Sequence, residues 1–176
     1  EMLQRLRFFR MDLPSVKTMT QAGGKLNTKI AREYIENAQQ TGRQFIVMYG
    51  QTEATARMSY LPWEHATEKA GSVGIAIPGG RFELVDADGN IIQTPNVDGE
   101  LIYYGDNVSM GYAECAEDLL RGDDNHGRLA TGDIARHDED GFYYITGRKK
   151  RFVKIWGNRC NLDQIEQLAK TITTSC

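Results

Sequence analysis

Phe45-Ile46-Val47-Met48-Tyr49-Gly50-Gln51-Thr52-Glu53 is the stretch from which the rest of the chain is read. Its first five residues are apolar or aromatic without a break, the pattern of a short strand buried on both faces of a parallel sheet. The strand ends at Tyr49, turns on Gly50, and then sets a hydroxyl and a carboxylate side by side at Thr52 and Glu53. In an open α/β sheet, ligands bind beyond the carboxyl ends of the strands. In that place Thr52 can donate a hydrogen bond to a phosphate oxygen, and Glu53 is a hard oxygen ligand for Mg²⁺ held against phosphates. Tyr49 offers a flat face to a base. A plain strand-to-helix junction with Thr52 as N-cap accounts for the same residues.

Upstream, the spacing of Leu3, Leu6, Phe9 and Met11 reads as the end of a helix stopped by Pro14. Val16 to Ala22 reads as a strand running into Gly23-Gly24. A helix capped by Asn27 or Thr28 follows, with Ile30, Tyr34 and Ala38 on one face and Gly42 just past its end. Strand, helix, strand is a layered α/β pattern. Thr20 to Lys25 resembles a phosphate loop only faintly, since Met19 and Leu26 stand where glycine and Ser/Thr are needed. Gly23 and Gly24 instead suit close approach of the backbone to a planar ring.

Downstream of Gly79 the pattern changes to short strands: Arg81–Asp86, Ile91–Gln93, Gly99–Tyr104, Leu129–His137 and Phe142–Thr146. Turns at 86–90 and 138–141 carry Asp, Gly and Asn in hairpin order, and only Glu114–Arg121 looks helical. An antiparallel, small-barrel region is expected. Within it, Asp133 of Thr131-Gly132-Asp133 is a natural bidentate acceptor for two vicinal hydroxyls if both its oxygens are free, and otherwise a turn aspartate. A calcium loop starting at Asp86 or Asp138 fails, because Ile91 and Tyr143 fall where glycine is required. From Arg148 to Arg159, six of twelve residues are basic, with Phe152 and Trp156 interleaved. That is a nucleic-acid signature or an exposed basic hairpin. An amphipathic helix from Leu162, with Ile165, Leu168 and Ala169, closes the chain.

The whole-chain numbers exclude several classes. With 176 residues, 40% hydrophobic and 26% charged, the chain has the composition of a folded domain rather than a disordered one. A net charge of −3 and a pI near 5.7 disfavour a nucleic-acid binder. Cys115, Cys160 and Cys176 form no CxxC pair, which disfavours a disulfide framework and a zinc ribbon. His65, His126 and His137 have no metal spacing. No run of about 20 apolar residues, the length a membrane helix needs, is present.

Taken in order, Tyr49-Gly50-Gln51-Thr52-Glu53, then Gly99-Glu100-Leu101-Ile102-Tyr103-Tyr104-Gly105-Asp106-Asn107-Val108-Ser109-Met110-Gly111-Tyr112, then Thr131-Gly132-Asp133, then Gly147-Arg148 through Arg159 closely resemble the adenylate-forming superfamily. That group includes acyl-CoA synthetases, peptide-synthetase adenylation domains and luciferase, and the match runs from about Val16 onward. The resemblance implies activation of a carboxylic acid with Mg-ATP as an acyl-adenylate, with release of pyrophosphate. The acyl group then passes to the thiol of coenzyme A or of a carrier-protein phosphopantetheine. It implies that Gly23, Gly24 and Tyr49 sandwich adenine, with Gly50 in the turn beside them. Thr52 touches the α-phosphate, Glu53 holds Mg²⁺, Asp133 takes both ribose hydroxyls, and Arg148 reaches the ribose or phosphate. Lys150 falls at the family's hinge.

The expected fold is mixed α/β. The end of a layered αβ subdomain covers 1–79, a distorted β-barrel 80–146, a hinge 147–151, and the start of a small α+β C-terminal domain 152–176. Val47 stands where some branches place an asparagine, so no amide contact to adenine is expected there, and Arg128 replaces a common aromatic. Gln51, Ala54, Thr55 and Arg57 are candidates for the edge of the acyl pocket. A pyrophosphate-binding loop before Val16 and a catalytic lysine after Cys176 have no counterpart. The chain is therefore expected to be a piece of a larger cytoplasmic enzyme, inactive alone and prone to self-associate through faces left exposed. The alternatives are amino-acid activation for a carrier protein, an adenylate-forming enzyme that makes no thioester, and a non-catalytic nucleic-acid or partner-binding module using residues 148–159.

Overall fold

The computed structural model describes residues 2–24, 26–155, 158–162, 165, 166 and 169, with 2, 4 and 151–161 through their backbone alone. Lys25, the Trp156-Gly157 turn of the basic hairpin, Leu168 and Cys176 lie outside the described residues. The chain begins with α1 (Met2–Arg5) and a 3-10 turn, Phe8–Arg10, whose Phe8 is buried. β1 (Thr18–Gln21) then leads to α2 (Thr28–Gln40) and back to β2 (Gln44–Tyr49). Asn27 is the cap, its side chain accepting from the Lys29 amide at 2.8 Å. Gly42, left-handed at φ 64°, follows the helix as expected.

β1 and β2 pair in parallel, Thr18 opposite Gln44 through Gln21 opposite Val47. β2 then pairs antiparallel with β3 (Ser59–Tyr60), and β3 with β4 (Ile75–Ala76). The sheet is therefore mixed, and the apolar run of β2 is less enclosed than its sequence implies. Phe45 is buried, but Ile46 to Tyr49 are only half-buried. The reason is visible in the packing: Phe45 and Val47 join a core with Phe8, Tyr34, Ile35 and Leu61, whereas Ile46 and Met48 belong to neither buried cluster.

The second half forms a four-stranded antiparallel sheet in the order β5 (Arg81–Val85), β6 (Gly99–Tyr104), β7 (Arg128–His137) and β8 (Tyr143–Arg148). The barrel expected for 80–146 is not closed by a backbone ladder among the described residues. Bulges at Glu100/Ile102 and Ile134/Ala135 curl the sheet, and side chains bring its outer strands together. The Tyr143 ring lies 5.0 Å from that of Phe82, and its hydroxyl donates to the Phe82 carbonyl at 3.4 Å. Ile91 makes a single bridge to Val85 instead of an expected strand, and Pro95 four residues on has no amide to continue one. The expected helix at 114–121 is a shorter 3-10 turn, Ala116–Leu120. Leu119 and Leu120 are both exposed there, so no apolar face rewards a longer helix. After β8 come a 3-10 turn, Lys149–Arg151, and a hairpin of β9 (Phe152–Ile155) and β10 (Asn158–Asn161).

One seam joins the two sheets. Gly74 and Tyr143 form a β-bridge, the Tyr143 amide donating to the Gly74 carbonyl at 3.0 Å. The Val73 amide and the Ser72 hydroxyl both reach the Tyr143 carbonyl, at 2.9 and 2.7 Å. Nearby, Lys69 pairs with Asp138 and Asp140 of the β7–β8 turn. Gly74 has φ 83°, and a Cβ on it would fall 1.8 Å from the Tyr60 carbonyl oxygen. Gly74→Ala therefore combines left-handed strain with a backbone clash and should lower stability by about 3 kcal/mol or more. A denaturant midpoint within error of the parent protein would show that the seam tolerates a side chain.

Candidate functional site

The parallel register sets up the site. Gln21, the last residue of β1, lies opposite Val47 in β2, so Gly23-Gly24 and Gly50 follow the carboxyl ends of two paired parallel strands. Gly23 has φ 94°, and nothing lies within 4 Å of a Cβ built on Gly23 or Gly24. The space in front of these glycines is thus open. Gly50 is required by the turn itself, since a Cβ there would meet the Ala56 carbonyl oxygen at 2.4 Å.

Asp133 is the polar centre. It is 3% exposed and lies on β7 just after Gly132, which takes φ 69°. The β7–β8 register puts Asp133 opposite Arg148, whose Nε donates to Oδ1 at 3.0 Å. The Tyr49 hydroxyl donates to Oδ2 at 2.6 Å, and Gln51 Nε2 reaches the same oxygen at 3.2 Å. The reading of Asp133 as an acceptor with both oxygens free is corrected on this point: each oxygen already has a donor. Burial, followed by the Asp133 charge and hydrogen bond, pushes the Tyr49 hydroxyl well above its ordinary pKa, so it remains a donor across the neutral range.

Gln51 turns toward the polar centre as well. It was a candidate for the acyl-pocket edge, yet its amide also donates to the Thr131 carbonyl at 2.9 Å, hooking the turn after β2 onto the Thr131-Gly132-Asp133 segment. Ala54, another candidate for that edge, is fully buried in the second core cluster. No local pattern announces the Gln51 contacts, because both partners lie some eighty positions away.

Thr52 starts the 3-10 turn Thr52–Ala54 and is not its cap, a position held by Gln51. The helix-junction explanation of Thr52 therefore does not hold. Thr52 is exposed and Glu53 half-buried. The Tyr112 hydroxyl donates to Glu53 Oε1 at 2.5 Å, and this bond is the main reason the Glu53 carboxyl is held below its ordinary pKa. Glu53 also lines a cleft of about 580 Å³ with Gly111, Tyr112, Asp118, Arg121 and Asn125. Among the described residues, no group of three or more His, Cys, Asp or Glu could hold a metal ion. A cation at Glu53 would take its remaining ligands from phosphate and water, the usual manner of Mg²⁺. Lys150 is exposed in the turn between β8 and β9, and its neighbour Lys149 is tied to Glu100 Oε2 at 2.6 Å.

Tyr49, Gln51, Asp133 and Arg148 thus come together from three separate stretches, with Thr52 and Glu53 in the turn that follows Tyr49. The chain resembles the long-chain-fatty-acid–CoA ligase of Yersinia pestis, at 31% identity over 170 residues, 95% of this chain and 29% of that protein. It also resembles the 4-coumarate–CoA ligase-like 2 protein of Arabidopsis thaliana, at 28% identity over 90% of this chain and 28% of that protein. Its fold matches the unliganded O-succinylbenzoate coenzyme A synthetase of Bacillus subtilis with a TM-score of 0.75 at 22% identity, covering 95% of this chain and 36% of that one. The same synthetase solved with ATP and magnesium ion matches at 0.71 and 24%, over 91% and 32%. The chain spans under a third of the length of the two ligases. The family model described as AMP-binding enzyme matches residues 1–113, and the chain belongs to that family.

Proposed function

We propose that the chain is the nucleotide-binding section of an ATP-dependent carboxylic acid–CoA ligase. In the first half-reaction a carboxylate oxygen of the acid attacks the α-phosphorus of ATP, and the bond to the β-phosphate oxygen breaks to release pyrophosphate. In the second, a thiol sulfur attacks the acyl carbon, AMP leaves and the thiol proton is lost. The observation that carries this reading is the buried Asp133 carboxylate directly behind Tyr49 at the open ends of parallel strands. Tyr49 shares a hydrogen bond with Asp133 and Thr52-Glu53 follow Tyr49 by one turn, so groups suited to a base, a diol and a phosphate lie near one another.

The roles follow from position. Tyr49 with Gly23 and Gly24 would hold adenine, and Asp133 the ribose hydroxyls. Thr52 would donate to the α-phosphate, and Glu53 would hold Mg²⁺, which supplies charge neutralisation at the phosphates. A carboxylate has about four lone-pair positions, and three donors already use those of Asp133. A diol needs one of them to yield, and Arg148, with its side chain 66% exposed, is the least anchored. Arg148 released from Asp133 would be at hand for ribose or phosphate. The thioester acceptor is coenzyme A on this reading, in line with the named activities of the relatives. One of those ligases is named for a fatty acid and the other for an aromatic acid, so the acid itself is left open. A nucleic-acid role for residues 148–159 is disfavoured, because Arg148 and Lys149 already face Asp133 and Glu100.

In the full-length enzyme, Asp133→Ala should slow ATP–pyrophosphate exchange about a hundredfold, since a buried charged contact to substrate is worth a few kcal/mol. A loss under about threefold would remove the ribose role. Glu53→Ala should raise the Mg²⁺ concentration needed for half-maximal exchange, and an unchanged Mg²⁺ dependence would place the metal elsewhere. For the proposed hinge, Lys150→Pro fixes the backbone and should slow thioester formation more than adenylation; equal slowing in stopped-flow assays of the two steps would assign Lys150 no hinge duty.

A further inference from the structure

Thr55 and Ala56 follow the turn that carries Thr52 and Glu53, and both occupy left-handed backbone, at φ 47° and 68°. Neither is glycine, and two such residues in succession persist only where their surroundings over-determine them. Asn107 supplies that constraint from another part of the chain. Its Nδ2 donates to the Ala54 carbonyl at 2.7 Å and to the Arg57 carbonyl at 2.9 Å, the carbonyls on either side of the strained pair. The Thr55 hydroxyl returns a bond to the Asn107 carbonyl at 3.3 Å. The buried Tyr103 hydroxyl donates to Asn107 Oδ1 at 2.8 Å, which fixes the direction of the amide. Two residues on, the Ser109 amide donates to the Glu53 carbonyl at 2.7 Å.

We propose that Asn107 is a positioning residue for the reaction: its carboxamide clamps the left-handed Thr55-Ala56 pair and thereby fixes where Thr52 and Glu53 point. This rests on the phosphate-end roles given to Thr52 and Glu53 above. The clamp is chemically specific. Only a side chain with a paired donor on one end and an acceptor on the other satisfies Ala54, Arg57 and Tyr103 together. The strain also makes it testable, because glycine adopts left-handed backbone without a clamp.

The experiment is a cycle in the full-length enzyme, read by ATP–pyrophosphate exchange and by amide hydrogen exchange without ligand. Asn107→Ala should lower kcat about tenfold or more, as small misplacements of catalytic groups do, while KM for the acid moves little. Ala56→Gly alone should stay within about twofold of the parent, and the double variant should return to within about threefold, a non-additive result. A double variant as slow as Asn107→Ala, or an Asn107→Ala enzyme with parent kcat, would overturn the proposal. The Ala56 and Met58 amides, which donate to Gln51 and Tyr49 carbonyls, should exchange faster in Asn107→Ala and recover in the double variant. Unchanged protection there counts against the clamp. If Asn107→Ala does not fold, Tyr103→Phe removes only the orienting hydroxyl and should give the same pattern at smaller amplitude; no change in either readout would again overturn it. Loss of the ligase reading is distinguishable, since a parent enzyme without pyrophosphate exchange fails that reading while amide exchange still tests the clamp.

Discussion

A carboxylate removed from water must be met by donors, because an unpaired buried charge costs several kcal/mol. Asp133 is that carboxylate, and its donors come from β2 (Tyr49), the turn after it (Gln51) and β8 (Arg148). Satisfying one buried group thus fixes the end of the first sheet against the middle of the second. Tyr49 and Phe82 pack as tilted rings 6.4 Å apart beside this junction, which adds apolar area without another polar demand. Tyr49 cannot swing away without leaving Asp133 short of a donor.

The seam at Gly74 and Tyr143 serves the same end from the other side. Tyr143 uses its amide and carbonyl to hold the first sheet and its ring and hydroxyl to hold β5. One residue therefore couples the curl of the second sheet to the position of the first. The Lys69 ammonium, lying between Asp138 and Asp140 and 5.2 Å from the centre of the Phe142 ring, adds a charged contact to the same junction. Lys69 and Asp138 are half-buried and Asp140 is exposed, so this charged contact adds to the backbone bridge and the packed rings at the junction.

Local chemistry in the sequence was enough for the elements it controls. Asn27 as cap, Gly42 beyond the helix, β6 from Gly99 to Tyr104 and the Asp138–Gly141 turn are set by near neighbours, and each is found where its residues place it. The misses share a different cause. The open edge of the second sheet, the inward turn of Gln51 and the short helix at Ala116–Leu120 depend on partners distant in sequence or on burial that is not gained. Asp133 illustrates both halves: its residue type and glycine neighbour are legible, but its three donors are not, because they lie on β2, in the turn after it and on β8. The left-handed Thr55-Ala56 pair is the extreme case, as neither residue type announces a positive φ.

On the proposed reading, the two ends of the nucleotide meet protein of different stiffness. Tyr49 and Asp133 stand on strands and share a buried hydrogen bond, so the adenosine end meets groups whose positions are set before binding. Thr52, Glu53, Tyr112 and Arg148 stand on exposed or half-buried positions at turns and strand ends. Charge changes at the phosphorus as the carboxylate attacks and pyrophosphate leaves, and the groups facing it must follow that change. Without a brace, such a turn would surrender the preorganisation that makes charge stabilisation effective. The contacts from residues 107–109 to residues 53–57 give the turn a fixed base, while the Thr52 side chain stays exposed and the half-buried Glu53 carboxylate meets only the exposed Tyr112 hydroxyl among the described contacts. Stiff backbone under adjustable side chains is the arrangement a reacting phosphate calls for, and it explains why the strain lies beside the turn and not within β2.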